Sequence, residues 1–395
     1  MSLPLEGVRV VEYAQYVAGP LCGVLLADLG AEVVKVEPPG GDAYRYVMPV
    51  APGIGRFFLP LNRGKRSVVL DLKSDDGRAQ SDRLIGSADV VLHNFPGERA
   101  SRFGLDWADV HRSHPRVVVG AVTSFGRAGP LAESPAYDLV AQARAGLLTA
   151  HASRGDRVPV RAGGIPMADL TAGFLLSTGV LAALVHARES GFGELVEVSL
   201  LAAAMAVQLQ DLVWLEGEAD AEAPGRATRA DLDARADEIA LGVAMNPYYR
   251  CFESADGFLA VACLNLEQRE AFLRLFDLDD ATVHAPDLVP GDPAVLAAKE
   301  GVTGEIERAI ALEPVEEWIR RLEAAGVPCG VVHTRETIHA DPQVAAERLV
   351  GAIEQPGIGA ARLLAPFVRV DGRMPSPRPA PVLGADTEAV LGELA

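Results

Sequence analysis

One carboxylate stands where reactive chemistry and helix geometry coincide. Asp169 lies in G-G-I-P-M-A-D-L-T-A-G, residues 163–173, where a glycine-bearing approach meets a proline and then a long apolar stretch. A carboxylate at a helix start is electrostatically favoured as the anion. It also sits at the end of an element, where a small molecule reaches it. A lone aspartate there serves equally well as a helix cap. Three further places carry cations and donors. N-R-G-K-R-S-V, residues 62–68, precedes one predicted strand, H-N-F-P-G, residues 93–97, follows another, and Arg102 lies on the short helix beyond. A nucleotide with several phosphates needs basic side chains such as Arg63, Lys65 and Arg102, with Asn94 and Phe95 along its base or arm. Taken alone, Arg63, Lys65 and Arg66 read better as a solvated charge run before a buried strand.

The elements that must position these residues follow from the apolar pattern. Residues 8–13, 32–37, 66–72, 88–92 and 116–122 are short apolar runs bounded by turn residues, so they predict strands. Helical stretches lie between them, one opened by Gly19-Pro20 and stopped near Gly30. Strand–helix–strand alternation predicts a parallel, doubly wound, Rossmann-like sheet. Ligands of such sheets sit in the crevice at the carboxyl ends of the strands. Residues 137–150 predict a helix, and a long Ala/Leu/Gly helix follows Asp169 to about Arg188. Residues 194–199 predict another strand, with an apolar helix to about Trp214. Glu37 at a strand end imitates the ribose contact of dinucleotide folds. The first turn, Y-A-Q-Y-V-A-G-P, lacks G-x-G-x-x-G, which argues against a nicotinamide enzyme.

At 395 residues, more than one domain is expected. The division read from the sequence is a large α/β domain over 1–215, a polar linker over 216–245, a small α+β domain over 246–326, and a segment over 327–395 returning to the large domain. Asp256-Gly257 between residues 248–252 and 258–263 signals a hairpin. Helices are expected over 266–276 and 302–325. A net charge of −18 without a long basic run argues against nucleic acid as a partner. No apolar run reads as long enough for a membrane span, and the first residues do not resemble a signal peptide. Cys22, Cys251, Cys263 and Cys329 show no C-x-x-C pairing, as expected of free thiols in a reducing cytoplasm. His111 and His114 lack a supporting ligand cluster, so no metal is expected.

Several stretches together resemble one family. A-G-P-L-C-G-V-L-L-A-D-L-G-A-E-V-V-K-V-E (18–37), N-R-G-K-R-S-V-V-L-D-L-K (62–73), A-D-V-V-L-H-N-F (88–95), S-F-G-R-A-G-P (124–130), P-A-Y-D-L-V-A-Q-A (135–143), the Asp169 segment, G-V-P-C-G-V-V (326–332) and A-D-P-Q-V (340–344) occur in order along the chain. The chain thus resembles the family III coenzyme A transferases, the group that also holds the α-methylacyl-CoA racemases. The resemblance implies a two-domain fold and an interlocked homodimer. Its substrates would be an acyl-CoA and a small carboxylic acid, with coenzyme A as co-substrate.

By the same resemblance, Asp169 is the catalytic aspartate and acts as a nucleophile toward the acyl-CoA carbonyl. Covalent catalysis of this kind splits one difficult exchange into easier steps. Gln15 and backbone N–H groups near Gly163-Gly164 are candidate oxyanion donors. Tyr137 and Asp138 map beside the nucleophile. Asp138 can orient an acceptor or a water, or cap a helix. The coenzyme A contacts implied are Tyr16, Val17, Ala18, Leu72, Asn94, Phe95 and Arg102. Arg127, Arg144 and Arg161 can each bind a distal carboxylate or remain surface charges.

Two alternatives stay open: a racemase or isomerase, and a coenzyme A-binding protein without turnover. Racemases carry a histidine base in a G-H-D segment where this chain has A-Y-D, residues 136–138. A phenol is a poor base at neutral pH. Asn265 falls near the place of a racemase glutamate, with Glu267 two residues on. The chain departs from the transferase pattern in N-F-P-G, which lacks a basic residue before the proline, and in L-G-V-A-M-N-P-Y-Y (241–249), which lacks a glycine run. Asp386 stands where a histidine is frequent.

Overall fold

Six short, mostly valine-rich runs form one parallel sheet in the computed structural model, which describes residues 3–153, 155–215, 225–284 and 293–394. They are β1 (Arg9–Glu12), β2 (Glu32–Glu37), β3 (Arg66–Val69), β4 (Val90–His93), β5 (Val118–Thr123) and β6 (Leu195–Ser199). The spatial order is β3-β2-β1-β4-β5-β6, with every neighbouring pair parallel. Val10 pairs with Val33 and Val90, and Val11 with Val34 and Val91. Side chains alternate across a strand. Val10, Val33, Val90 and Val118 therefore enter one core, and Val11, Val34, Val91 and Val119 enter the other. Helices cover both faces, which is the doubly wound arrangement. The order reverses between β1 and β4, so the crevice at the carboxyl ends of these two strands is where such a fold takes a ligand.

Helix α1 (Ala18–Asp28) follows β1 and is buried almost throughout. Helix α2 (Asp138–Arg144) is shorter than the sequence suggested, because Gly146 turns the chain at φ 78°. Helix α3 (Met167–Ser190) carries Asp169 in its first turn. A Cβ on Gly173 would lie 2.8 Å from the Ala18 carbonyl oxygen and 2.9 Å from Leu21 Cβ. Glycine is what lets α3 approach α1 so closely. The opposite side of α3 leaves Phe174, Leu175 and Val185 exposed. By length and composition α3 is long and apolar enough to cross a membrane, which corrects the expectation that no such run exists. Its other face, from Ala168 to Ala187, packs into the core of the sheet.

The described residues divide into two compact units. The sheet belongs to the unit built from the described parts of Met1–Leu148, Arg161–Ala223 and Pro342–Ala395. Near its end, the Ser67 and Val69 amides donate to Asp386 Oδ2 at 2.8 Å and Thr387 Oγ1 at 3.1 Å. These bonds occupy the open edge of β3. Asp386 therefore closes a sheet. A hairpin of Val350–Gln355 and Gly359–Leu364, which the sequence reading did not anticipate, lies in the same unit.

The second unit holds the described parts of Thr149–Val160 and Pro224–Asp341. Its antiparallel sheet joins β7 (Tyr249–Glu253), β8 (Phe258–Ala262) and β9 (Cys329–Val331) in the order β9-β8-β7. Tyr248, Phe252, Phe272 and Trp318 are central to its core. Of the segment read as a linker over 216–245, residues 216–224 lie outside the described residues, and Arg229–Met245 forms a helix of this second unit. The helix expected over 302–325 is two helices, Pro293–Ile310 and Val315–Ala324, divided at Pro314.

Candidate active site

Asp169 is half-buried, and its side chain has no hydrogen-bond or ion-pair partner among the described residues. Its pKa is pushed up to about 7, first by burial and then by the neighbouring Asp138 charge, while Arg161 pulls it down. The expectation that the helix start would favour the anion is thus outweighed. Asp138, by contrast, is fully committed. Its Oδ1 accepts from the Ala168 amide at 3.0 Å and the Asp169 amide at 3.4 Å. Its Oδ2 accepts from Gln142 Nε2 at 2.7 Å and Arg161 Nη1 at 3.1 Å. Pro166 precedes α3 and supplies no side-chain cap. Asp138 supplies it instead, from the first residue of α2. This corrects the idea that Asp138 orients an acceptor or a water, because none of its oxygens is left open to one.

Three tyrosines gather beside this pair. The Tyr16 ring packs edge-on against Tyr44 and Tyr137, each with centroids 5.5 Å apart. The Tyr16 phenol is pushed up, first by its hydrogen bond with Tyr137 and then by burial. Tyr44 is pushed up by burial and then by Asp169 and Asp42, which puts its phenol in the field of the Asp169 carboxylate. Tyr16 has φ 68°, a left-handed conformation that a bulky residue rarely adopts. Asp42 contributes to holding it, accepting from the Tyr16 amide at 3.4 Å and the Tyr44 amide at 3.0 Å with one oxygen. The other Asp42 oxygen meets buried Lys35 at 2.9 Å. Sequence reasoning missed Asp42 and Tyr44. The only local signal was an aspartate two residues before Tyr44, at the start of a short turn.

The sequence profile of CoA-transferase family III matches residues 5–387. The chain belongs to CoA-transferase family III. It is 32% identical over 409 residues to a succinate–glutarate CoA-transferase of Agrobacterium fabrum, covering 99% of this chain and 96% of that one. It is also 32% identical over 341 residues to a probable fatty acyl-CoA transferase of Mycobacterium tuberculosis, covering 84% and 83%. A crystal structure of a CaiB/BaiF family protein from Brucella suis superposes with a TM-score of 0.78 at 27% identity, covering 100% of each chain. The protein is therefore an enzyme of the CoA-transferase type.

The family III resemblance also nominated the coenzyme A contacts, and the fold places them at the carboxyl ends of three strands. Gln15, Tyr16, Val17 and Ala18 follow β1, Leu72 follows β3, and Asn94 and Phe95 follow β4. Asn94 is a clamp. Its Oδ1 accepts from the Gln15 amide at 3.1 Å, and its Nδ2 donates to the Gln15 carbonyl at 2.8 Å. The bond continues the β1–β4 pairing to the point where the strand order reverses. The Gln15 carboxamide itself has no hydrogen-bond partner among the described residues, so it is available as a donor. Val17 and Ala18 are buried, while Arg102 is exposed beside the Phe103 ring at 5.3 Å. The Gly164 amide donates to the Arg161 carbonyl at 3.3 Å, which removes it as an oxyanion donor.

Arg63 and Lys65 are neither phosphate ligands nor a solvated charge run. Both are buried. Lys65 Nζ donates to the two Glu12 oxygens at 2.9 and 2.8 Å, to the Pro20 carbonyl at 2.9 Å and to Asn62 Oδ1 at 3.1 Å. Arg63 pairs with Asp28. A buried charge must be paired and hydrogen-bonded, and these four partners exhaust the ammonium. No group of three or more metal-ligating side chains occurs among the described residues.

Proposed function

We propose that this enzyme moves coenzyme A from an acyl-CoA to a carboxylic acid through covalent intermediates on Asp169. The observation that carries the proposal is the contrast between two neighbouring carboxylates. Every oxygen of Asp138 is bonded to protein, and Asp169 has no such partner. A desolvated, uncommitted carboxylate is a nucleophile in waiting. An Asp169 oxygen attacks the thioester carbonyl, the C–S bond breaks, and an aspartyl–acyl anhydride forms with release of the thiolate. The thiolate attacks the Asp169 carbonyl carbon, giving an aspartyl-CoA thioester and the first acid. The acceptor carboxylate attacks that thioester and again releases the thiolate. The thiolate then takes the acceptor's acyl group from the second anhydride and regenerates the Asp169 carboxylate. Each step makes and breaks one acyl bond, so no net proton is taken up.

Gln15 stands beside Tyr16 on the same loop and suits the role of oxyanion donor. Tyr16, Val17, Ala18, Leu72, Asn94, Phe95 and Arg102 line the proposed path of coenzyme A. The racemase alternative lacks a suitable base, because Tyr137 stands in its place with its phenol bonded to Tyr16. The apolar side chains exposed on α3, together with Leu209, Val213 and Trp214, support a homodimer. We also place the enzyme in the cytoplasm, on its four unpaired cysteines. The names of the relatives diverge on the acid, one pointing to dicarboxylates and one to fatty acyl groups. Asp169→Ala tests the mechanism. It should abolish acyl exchange while coenzyme A still binds in calorimetry, whereas an active variant would remove Asp169 from the chemistry.

A further inference from the structure

The chain that leaves β1 is held at four consecutive polar groups of its backbone, each time by a side chain distant in sequence. Lys35 Nζ donates to the Ala14 carbonyl at 2.8 Å. Asn94 accepts from the Gln15 amide and donates to the Gln15 carbonyl. Asp42 accepts from the Tyr16 amide at 3.4 Å. Buried backbone groups of an irregular segment must be paired. Here the partners come from β2, from the turn after it and from the residue after β4.

Lys35 and Asp42 act together. Both are buried, and Lys35 Nζ meets Asp42 Oδ2 at 2.9 Å. The ammonium is otherwise spent on Glu12 Oε1 at 3.1 Å and on the Ala14 carbonyl. Asp42 Oδ1 is shared by the Tyr16 and Tyr44 amides. The Asp42 amide donates to Glu37 Oε2 at 2.9 Å, and Arg45 binds the same Glu37 carboxylate with two nitrogens at 2.7 and 2.6 Å. Asp42 is thus fixed from behind, buried, and occupied at both oxygens, so it is closed to a substrate. What it holds is strained, because Tyr16 has φ 68°. A tyrosine keeps such a backbone only where its surroundings over-determine it.

Packing connects the held segment to the turn that carries Asp169. Tyr16, Tyr44 and Leu170, the residue after Asp169, pack against the same buried cluster as Val17 and Leu21. The Tyr16 ring also lies against Tyr137, whose neighbour Asp138 accepts from the Asp169 amide. A shift of the Tyr16 peptide therefore moves the surroundings of Asp169.

We propose that Asp42, braced by Lys35, is a positioning residue for acyl transfer: through the Tyr16 amide it holds the Gln15–Ala18 segment in place beside Asp169. This goes beyond the CoA-transfer reading and rests on it.

The test compares Asp42→Ala with Asp42→Asn. Asparagine keeps an acceptor oxygen for the two amides and loses the charge toward Lys35, and alanine keeps neither. Single-turnover formation of the Asp169 adduct is followed with the best donor of an acyl-CoA panel, at a temperature where each variant is folded. Asp42→Ala should slow it by at least about tenfold, since a small misplacement of reacting groups can cost about a hundredfold. Coenzyme A affinity in calorimetry should change little, and Asp42→Asn should recover most of the rate. Amide-resolved hydrogen exchange should find the Tyr16 amide protected in the wild type. Free exchange there overturns the inference, even if Asp42→Ala fails to fold. A folded Asp42→Ala with the wild-type rate also overturns it while leaving CoA transfer intact, as does a loss confined to coenzyme A affinity. Equal slowing in both variants assigns the effect to the charge on Lys35 and likewise overturns it. A wild type that forms no adduct with any donor sinks the transfer reading, and this inference with it.

Discussion

The Asp138 carboxylate caps the helix whose first turn carries Asp169, accepting from the amides of Ala168 at 3.0 Å and of Asp169 itself at 3.4 Å. One acid is thereby spent on geometry, while the other has no hydrogen-bond or ion-pair partner among the described residues. The arrangement also explains the electrostatics. The capping charge lies close enough to raise the pKa of Asp169, and the Arg161 guanidinium on the same carboxylate moderates that effect.

Asp138→Ala should therefore damage stability and chemistry together. It removes a helix cap, leaves one Arg161 donor without its acceptor and leaves Gln142 Nε2 only the longer bond to the Ile165 carbonyl at 3.4 Å. A loss of about 2–3 kcal/mol is expected, read by chemical denaturation. At temperatures where the variant is still folded, kcat should fall by far more than coenzyme A affinity. A variant of unchanged stability would show that the cap is not made.

The pH dependence follows from the raised pKa of Asp169. Only the anion attacks a thioester, so adduct formation should rise with pH, reach half its maximum near pH 7 and level off above it. Asp138→Asn removes a like charge, which makes the Asp169 anion easier to form and moves the midpoint down. Burial, the larger cause, remains, so the midpoint should stay above the ordinary aspartate value of about 3.9. Single-turnover rates from pH 5 to pH 9 measure both profiles. A midpoint that moves up in Asp138→Asn would contradict the assigned sign.

Lys65→Met separates a structural lysine from a phosphate ligand. Lys65 is the shared partner of both Glu12 oxygens in the interior. Removing it takes away the partner of Glu12 Oε2 while Lys35 still meets Oε1 at 3.1 Å, and should destabilise the protein by about 3 kcal/mol, the low end for a broken buried pair. A stable variant whose only defect is weaker coenzyme A binding would return Lys65 to the phosphate site.

Local pattern made much of this molecule readable. The valine runs gave the strands because a strand buried on both faces is apolar along its length. The proline and carboxylate before a long apolar stretch marked Asp169. What stayed hidden depends on partners distant in sequence. Lys65 meets Glu12 across 53 positions, and Asp138 reaches the Ala168 amide across 30. Charged residues beside a strand look solvated until the fold supplies their counter-ions. The break at Pro314 is legible in the sequence alone, since proline removes a helix donor and restricts the residue before it.

Mass spectrometry of the peptide that holds Asp169 reads the covalent intermediate itself. The enzyme is incubated with a panel of acyl-CoAs, digested, and compared with and without hydroxylamine as a trap. A coenzyme A-sized adduct is expected on the peptide holding Asp169, replaced by a hydroxamate when the trap is present, with neither in Asp169→Ala. Acyl exchange that proceeds with no adduct, or solvent deuterium entering the α-carbon of the acyl group with no second acid present, would contradict it.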